Sequence, residues 1–269
     1  MAKPLVVITG ASSGIGAATA QAFAAEGHPQ LLLARRIDRM KALGLPNAMC
    51  RVVDVRDREA VANAVKDAEE KYGPADCLFN NAGIARLGDV TKQDPAEWDE
   101  MIDINVNGVM NSVHAVMGGM IKRRHGTIVQ MSSIAGRKVY PDHTVYCGTK
   151  FFVHGMSDSL REHLAPHDVR VIVISPGVIE TEVLDHVTDK TTLANYRANK
   201  AKMGGGMHGL SGARSNCRVV NAKGKAAVSC PTVILKEEYF DRVGKLEEAV
   251  RVAEAELAEA EQAWRRGVD

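Results

Sequence analysis

The sequence predicts an α/β fold in which a doubly wound parallel sheet is covered by helices on both faces. Two observations predict it. Short unbroken runs of Val, Ile and Leu alternate with helix-like stretches over the first 180 residues. Strands buried on both faces read in this way. A glycine-rich turn over 10–16 also separates the first apolar run from the first helical stretch, as in a βαβ unit.

The elements follow in order. Leu5–Thr9 reads as a buried strand and 14–26 as a helix. A second strand over 31–34 leads into a charged helix from Ile37. A third strand is expected over 51–55, and a helix over 59–72. Further buried strands are expected over 77–80, 127–131 and Val169–Ile174, with helices between them.

Beyond about Lys190 the pattern changes. From 190 to 236 the chain has no Asp or Glu but nine Lys or Arg. The stretch 204–206 is all glycine and 209–216 reads as loop, while 219–220, 226–229 and 232–235 read as short strands. The segment 236–266 reads as one long Ala- and Glu-rich helix. There Tyr239, Val243, Leu246, Val250, Ala253, Leu257, Ala260 and Trp264 fall at alternating spacings of four and three. This heptad-like stripe fits a coiled coil, packing on the same domain, or a solvated tail. The expected organisation is therefore a doubly wound unit over 1–203, a basic loop and short-strand segment over 204–235, and a helix over 236–266.

Composition excludes several classes. Lys plus Arg number 34 and Asp plus Glu 33, giving a net charge of +1, so neither a dedicated nucleic-acid protein nor a membrane-surface protein is expected. No apolar run reaches the ~20 residues of a bilayer span. Five scattered cysteines make a disulfide framework unexpected. A reducing, cytoplasmic setting fits best. His208, Cys217 and Cys230 fall short of the four ligands of a structural zinc site, so no metal is expected.

Two motifs carry chemistry. Gly10, Gly14 and Gly16 are spaced G-x-x-x-G-x-G across Ser12, Ser13 and Ile15. Such glycines let a backbone approach a pyrophosphate at a helix N-terminus, although a Gly-rich turn alone can be an ordinary tight loop. Tyr146 and Lys150 stand at i and i+4 on one helix face, where an ammonium is expected to lower the phenol pKa. Ser133 follows a buried strand, within reach of a substrate oxygen. By itself, Tyr-x-x-x-Lys is a common surface pair.

The second strand ends Leu33-Ala34-Arg35-Arg36. NAD-binding sites want an acid here for the ribose 2′-hydroxyl, and NADP-binding sites a cation for the 2′-phosphate. With no carboxylate present, NADP (NADPH) is the expected cofactor, with Arg35 as its main contact and Arg36 beside it. An ordinary solvated helix start is the competing reading.

In order along the chain stand Thr-Gly-Ala-Ser-Ser-Gly-Ile-Gly, Asn80-Asn81-Ala82-Gly83, Asn105, Ser132-Ser133, Tyr146-Cys-Gly-Thr-Lys150 and Pro176-Gly177-Val-Ile-Glu-Thr181. Together they resemble the short-chain dehydrogenase/reductase family, of the NADP-dependent aldehyde and ketone reductase type, over roughly residues 3 to 205. The resemblance implies a Rossmann-like fold and hydride transfer between NADPH and a small carbonyl substrate. It implies Tyr146 as general acid and Ser133 as polarising group. Lys150 would tune Tyr146 and bind the nicotinamide ribose. Asn105 would hold a helix distortion and a proton-passing water. Asn81, Ala82 and Gly83 would lie beside the cofactor, Pro176, Gly177, Val178 and Thr181 at its carboxamide, and Asp54 and Val55 at its adenine. Asn105 also suits a packing amide, and Asp54 a helix cap. Ser132 reads as structural. His186, Leu193 and Tyr196 are candidates for the substrate loop.

Members of the family usually form dimers or tetramers, so a homo-oligomer is expected. Their final helix and edge strand are not found here, although 226–229 or 232–235 could fill the edge. The segment from 205 to 231 looks loosely like a zinc-ribbon segment of large serine recombinases. A non-catalytic dinucleotide-binding or assembly protein is the rival reading. A nucleic-acid-associated module is a more distant one.

Overall fold

The computed structural model describes residues 3–177, 179–180, 182–202, 207–208 and 217–218. Strands β1 (Leu5–Thr9), β2 (Gln30–Ala34), β3 (Ala48–Val52), β4 (Ala75–Asn80), β5 (Gly126–Met131) and β6 (Val169–Ile174) pair in parallel, in the order β3-β2-β1-β4-β5-β6. The helices are α1 (Gly14–Ala25), α2 (Ile37–Ala42), α3 (Arg58–Tyr72), α4 (Pro95–Ile102), α5 (Gly108–Arg123), α6 (Thr144–Leu164) and, further on, α7 (Lys190–Lys202). This is the doubly wound, Rossmann-like arrangement. Its strand order reverses between β1 and β4, which opens a crevice at their carboxyl ends.

The pleat explains the apolar runs. Leu5, Val7, Leu31, Leu33, Leu78 and Ile128 form one core with Val61 and Val65 of α3 and Val113 and Met120 of α5. The alternating residues Val6, Ile8, Leu32, Phe79 and Val129 are just as buried. Both faces of the central strands are therefore covered, and β1, β2 and β5 are buried along their whole length.

One expected element shifts. The third strand runs over Ala48–Val52, not 51–55, because the register with β2 pairs Gln30 with Ala48 and Ala34 with Val52. Val53 and Val55 are buried, while Val52 is 59% exposed. The two valines owe their apolar character to the loop beyond the strand, where they wall the crevice.

Local signals set the helix ends. Asp57 opens α3 by accepting the Ala60 amide at 2.9 Å, and Asp94, followed by Pro95, opens α4 by accepting that of Ala96 at 2.9 Å. Between α4 and α5, Asp103–Asn107 widens into a π-helical turn, a distortion that often marks a functional site.

Two further pairings were not foreseen. β7 (Ile179–Glu180) pairs in parallel with β8 (Met207–His208). β9 (Cys217–Arg218) lies antiparallel on the outer edge of β6. That edge place, expected for 226–229 or 232–235, is held by Cys217–Arg218, whose backbone pairs with Val173 and Ile174. The other expectations for 204–235 and the helix over 236–266 lie outside the described residues. Among the described residues no helix is long and apolar enough to cross a membrane.

Candidate active site

The crevice at the carboxyl ends of the strands is a cavity of about 840 Å³. One end is the turn after β1. Gly10 adopts φ +66° and Gly14 φ +53°, conformations that favour glycine. A Cβ on Gly16 would stand 2.3 Å from the Gly10 carbonyl oxygen. Gly10, Ser12, Ser13, Gly14 and Ile15 line the cavity. Gly16 does not; it lets α1 close onto the turn.

Thr9, not foreseen as a site residue, organises this end. Its Oγ1 accepts the amides of Asn81 at 2.9 Å and Ala82 at 3.0 Å and donates to Asn80 Oδ1 at 3.3 Å. Asn81 Nδ2 in turn donates to the Thr9 and Gly10 carbonyls. The turn after β1 and the loop after β4 are thus one hydrogen-bonded unit, with Asn81, Ala82 and Gly83 on the cavity wall.

The arginines divide unexpectedly. Arg35 and Arg36 both line the cavity, but Arg36 is the one built into the turn. Its Nη2 donates to Ser13 Oγ at 2.9 Å and Ser12 Oγ at 3.2 Å, and its Nη1 pairs with Glu182 at 2.9 Å. Asp54 neither caps a helix nor stands free. Both carboxylate oxygens are taken by Arg56, at 3.0 and 2.7 Å, which holds its pKa below the ordinary value. The cap of α3 comes from Asp57 instead. Asp54 and Val55 still line the cavity, Val55 packing on Ile84, Met101 and Ile104.

At the other end, Ser133, Tyr146 and Lys150 come together, with Pro176 and Gly177 also on the wall. Ser133 Oγ accepts the Ala135 amide at 3.1 Å, and its hydroxyl is near enough to Tyr146 to pull the phenol pKa down. Lys150 Nζ donates to the Met131 carbonyl at 3.0 Å and lies 5.8 Å from the centre of the Tyr146 ring. Burial pushes the Tyr146 phenol up to about 12, against the opposing pull of the Ser133 hydroxyl. Burial pushes Lys150 down to about 8. The expected lowering of the phenol by Lys150 is therefore reversed. The ammonium is directed at a backbone carbonyl, and desolvation dominates both groups.

Asn105 sits behind the cavity, fully buried in the π-helical turn. Its Oδ1 accepts the Ile84 amide at 2.9 Å, and its Nδ2 donates to the Ile84 carbonyl at 2.9 Å and to Thr149 Oγ1 at 3.1 Å. A Cβ on Gly83 would lie 3.1 Å from Asn105 Oδ1 and 3.5 Å from Lys150 Nζ, so these three groups converge. Ser132 is structural, as its Oγ donates to the Lys150 carbonyl at 3.1 Å.

Among the substrate-loop candidates, His186 and Tyr196 line the cavity. Leu193 packs beneath it with Leu87 and Val187. Tyr140, His143, Val183 and Leu184 join the lining and were missed. No local signal marks Tyr140 and His143, which precede α6, the helix that begins at Thr144 and carries Tyr146. The His143 ring lies 6.2 Å from that of Tyr146 and 6.3 Å from that of Tyr196, its Nδ1 is buried without a partner, and burial lowers its pKa. Val178 and Thr181 lie outside the described residues. Among those residues no three His, Cys, Asp or Glu side chains gather as metal ligands.

Fold and site together define an oxidoreductase of the doubly wound, dinucleotide-binding class. A family model described as short chain dehydrogenase matches residues 4–192, and the chain belongs to the short-chain dehydrogenase/reductase family. An uncharacterized oxidoreductase of Staphylococcus saprophyticus is 37% identical over 192 residues, which are 69% of this chain and 78% of that one. A closed serine dehydrogenase complexed with NADP+ superposes with a TM-score of 0.67 at 32% identity, covering 73% of this chain and 80% of that one. A 3-ketoacyl-(acyl-carrier-protein) reductase from Brucella melitensis complexed with NADH gives 0.66 at 27% identity, covering 70% and 81%.

Proposed function

We propose that this chain reduces a small aldehyde or ketone to an alcohol with NADPH, reversibly. One observation carries the reading. A single cavity holds a glycine-rich turn with an arginine at one end and a Ser133–Tyr146–Lys150 cluster at the other.

The residues present fit the dinucleotide. The Gly10–Gly14 backbone offers close approach at a helix N-terminus. Arg36, fixed by Ser12 and Ser13, offers a cation for a 2′-phosphate. Ala34 leaves no carboxylate at the end of β2 to select a free 2′-hydroxyl. When bound, the reduced nicotinamide supplies a hydride to the carbonyl carbon.

The chain's own groups handle the oxygen. Ser133 donates to the carbonyl oxygen and polarises it. Tyr146, a phenol that is protonated at neutral pH and is kept so well above it by burial, delivers the proton as negative charge develops. Lys150 stands behind Tyr146 and restores positive potential as the phenolate forms. Asn105 keeps the π-helical turn open beside Lys150 and Gly83.

The wall around Tyr146 is aromatic, with Tyr140, His143 and Tyr196, and among the described residues it carries no carboxylate beside Lys150 to repel or pair with a substrate charge, Glu182 standing at its far end with Arg36. This suits a small uncharged carbonyl. We assign the catalytic unit to 1–203. Self-association belongs to the same reading, supported by exposed Ile102, Met110 and Phe151 on α4, α5 and α6.

The test is NADPH oxidation with a panel of small aldehydes and ketones, comparing wild type with Tyr146→Phe. Removing the acid is expected to cost about 10²- to 10⁴-fold in turnover while leaving NADPH binding intact. Equal activity in the two proteins would refute Tyr146 as the acid.

A further inference from the structure

Glu182 opens the turn Glu182–His186, a strap whose Glu182, Val183, Leu184 and His186 line the cavity and whose Glu182 reaches the start of α2. Its two carboxylate oxygens hold two guanidiniums. Oε2 pairs with Arg36 at 2.9 Å, and Oε1 with Arg39. Arg36 is at the same time the arginine bound to Ser12 and Ser13. One carboxylate therefore sits on the cation that the proposed cofactor's 2′-phosphate would seek.

The two ends of the strap are held differently. Its carboxyl end is anchored to α4. Arg86 donates to the His186 carbonyl at 2.5 Å and pairs with Glu100 at 2.7 Å, and Thr188 donates to Glu97 at 2.7 Å. The Arg86–Glu100 pair is mostly buried, at 21% and 29% exposed. The Glu182 end is a surface cluster, its three side chains 39% to 49% exposed. Such exposed pairs contribute little and exchange partners readily. Between the ends, Val183 and Leu184 pack into the apolar group that includes Tyr146.

We propose that Glu182 is an exchangeable clasp on the cofactor site. A phosphate monoester at the adenosine 2′ position takes Arg36 from Glu182 and loosens the amino end of the strap, which Arg39 alone then holds. A phosphate brings more charge than a carboxylate and three acceptor oxygens to a guanidinium fork, so the exchange runs in that direction. Because Val183 and Leu184 follow Glu182 directly, the exchange carries the identity of the cofactor from the adenosine end to the walls around Tyr146. Glu182 thus acts as a positioning and specificity residue through Arg36. The proposal rests on the NADPH reading above.

The test needs no turnover. Hydrogen exchange of residues 182–187 is followed in the full chain with saturating adenosine 2′,5′-bisphosphate or with 5′-AMP, neither of which reaches the nicotinamide end. The bisphosphate is expected to speed exchange of the strap several-fold, and 5′-AMP to leave it unchanged. Glu182→Gln is expected to show the faster exchange without ligand and to bind the bisphosphate about threefold to tenfold more tightly. A strap indifferent to the bisphosphate, or a variant with wild-type affinity, would overturn the clasp. Exchange and tightened binding in a protein that reduces no carbonyl would uphold the clasp and overturn the reductase reading alone.

Discussion

Lys150 Nζ donates to the Met131 carbonyl oxygen at 3.0 Å while standing 5.8 Å from the centre of the Tyr146 ring. The ammonium is tied to the end of β5 rather than to the phenol oxygen. Burial, against that bond, costs Lys150 part of its proton affinity on folding, from an ordinary 10.5 down to about 8.

That cost has a sign. Between about 8 and 10.5 the unfolded chain binds the proton and the folded chain releases it. Stability from this group therefore rises with pH through that window and is lowest below it. Lys150→Met is expected to remove the slope and to raise the melting temperature at pH 7 while abolishing reduction. Urea unfolding of both proteins at pH 7 and pH 10 checks this, and an undiminished slope in the variant would contradict it.

Arg36, rather than Arg35, is expected to distinguish the cofactors. Charge-assisted bonds contribute about 1.5–3 kcal/mol, so Arg36→Ala should raise KM for NADPH by roughly 10- to 100-fold. KM for NADH should barely move. Arg35→Ala, which removes no bond to Ser12, Ser13 or Glu182, should have the smaller effect. The ratio of the two KM values in each variant decides the matter.

Gly16→Ala is expected to disrupt the turn although the glycine does not line the cavity. Its new methyl would meet the Gly10 carbonyl oxygen at 2.3 Å and Asn81 Nδ2 at 2.7 Å. Overpacking of this kind costs about 1–3 kcal/mol. Thermal unfolding should show that loss, and dinucleotide affinity should fall with it.

Thr9→Val keeps the shape of a buried strand residue but removes the acceptor for the Asn81 and Ala82 amides. Buried donors left unpaired cost about 1–3 kcal/mol. Denaturant unfolding is expected to report a loss in that range. A near-neutral result would show that water satisfies both amides.

Much of this molecule was legible in the chain. The strands at Leu5–Thr9 and Val169–Ile174 carry their burial in their own composition, and the glycine turn announces itself by spacing. Ser133, Tyr146 and Lys150 were picked out by helical periodicity and by the motifs around them. What escaped depended on partners far along the chain. Val53 and Val55 read as strand because they are apolar, but pairing with β2 ends the strand at Val52. Asp54 read as a cap or an adenine contact; Asp57 is the cap of α3, and Asp54 lines the cavity with its carboxylate paired to Arg56. His143 and Tyr140 carry no local mark of a pocket and became visible only beside Tyr196.

The sequence by itself determined the alternation of strands and helices and the tight glycine turn, which follow from short-range rules of burial, spacing and glycine conformation. The roles expected of Ser133, Tyr146 and Lys150 came from the resemblance of the ordered motifs to the family. Tertiary structure alone decided which arginine joins the turn, that Glu182 holds it from 146 residues away, and that burial raises Tyr146 instead of Lys150 lowering it. Those outcomes depend on desolvation and on contacts between distant segments, and neither is encoded in local spacing.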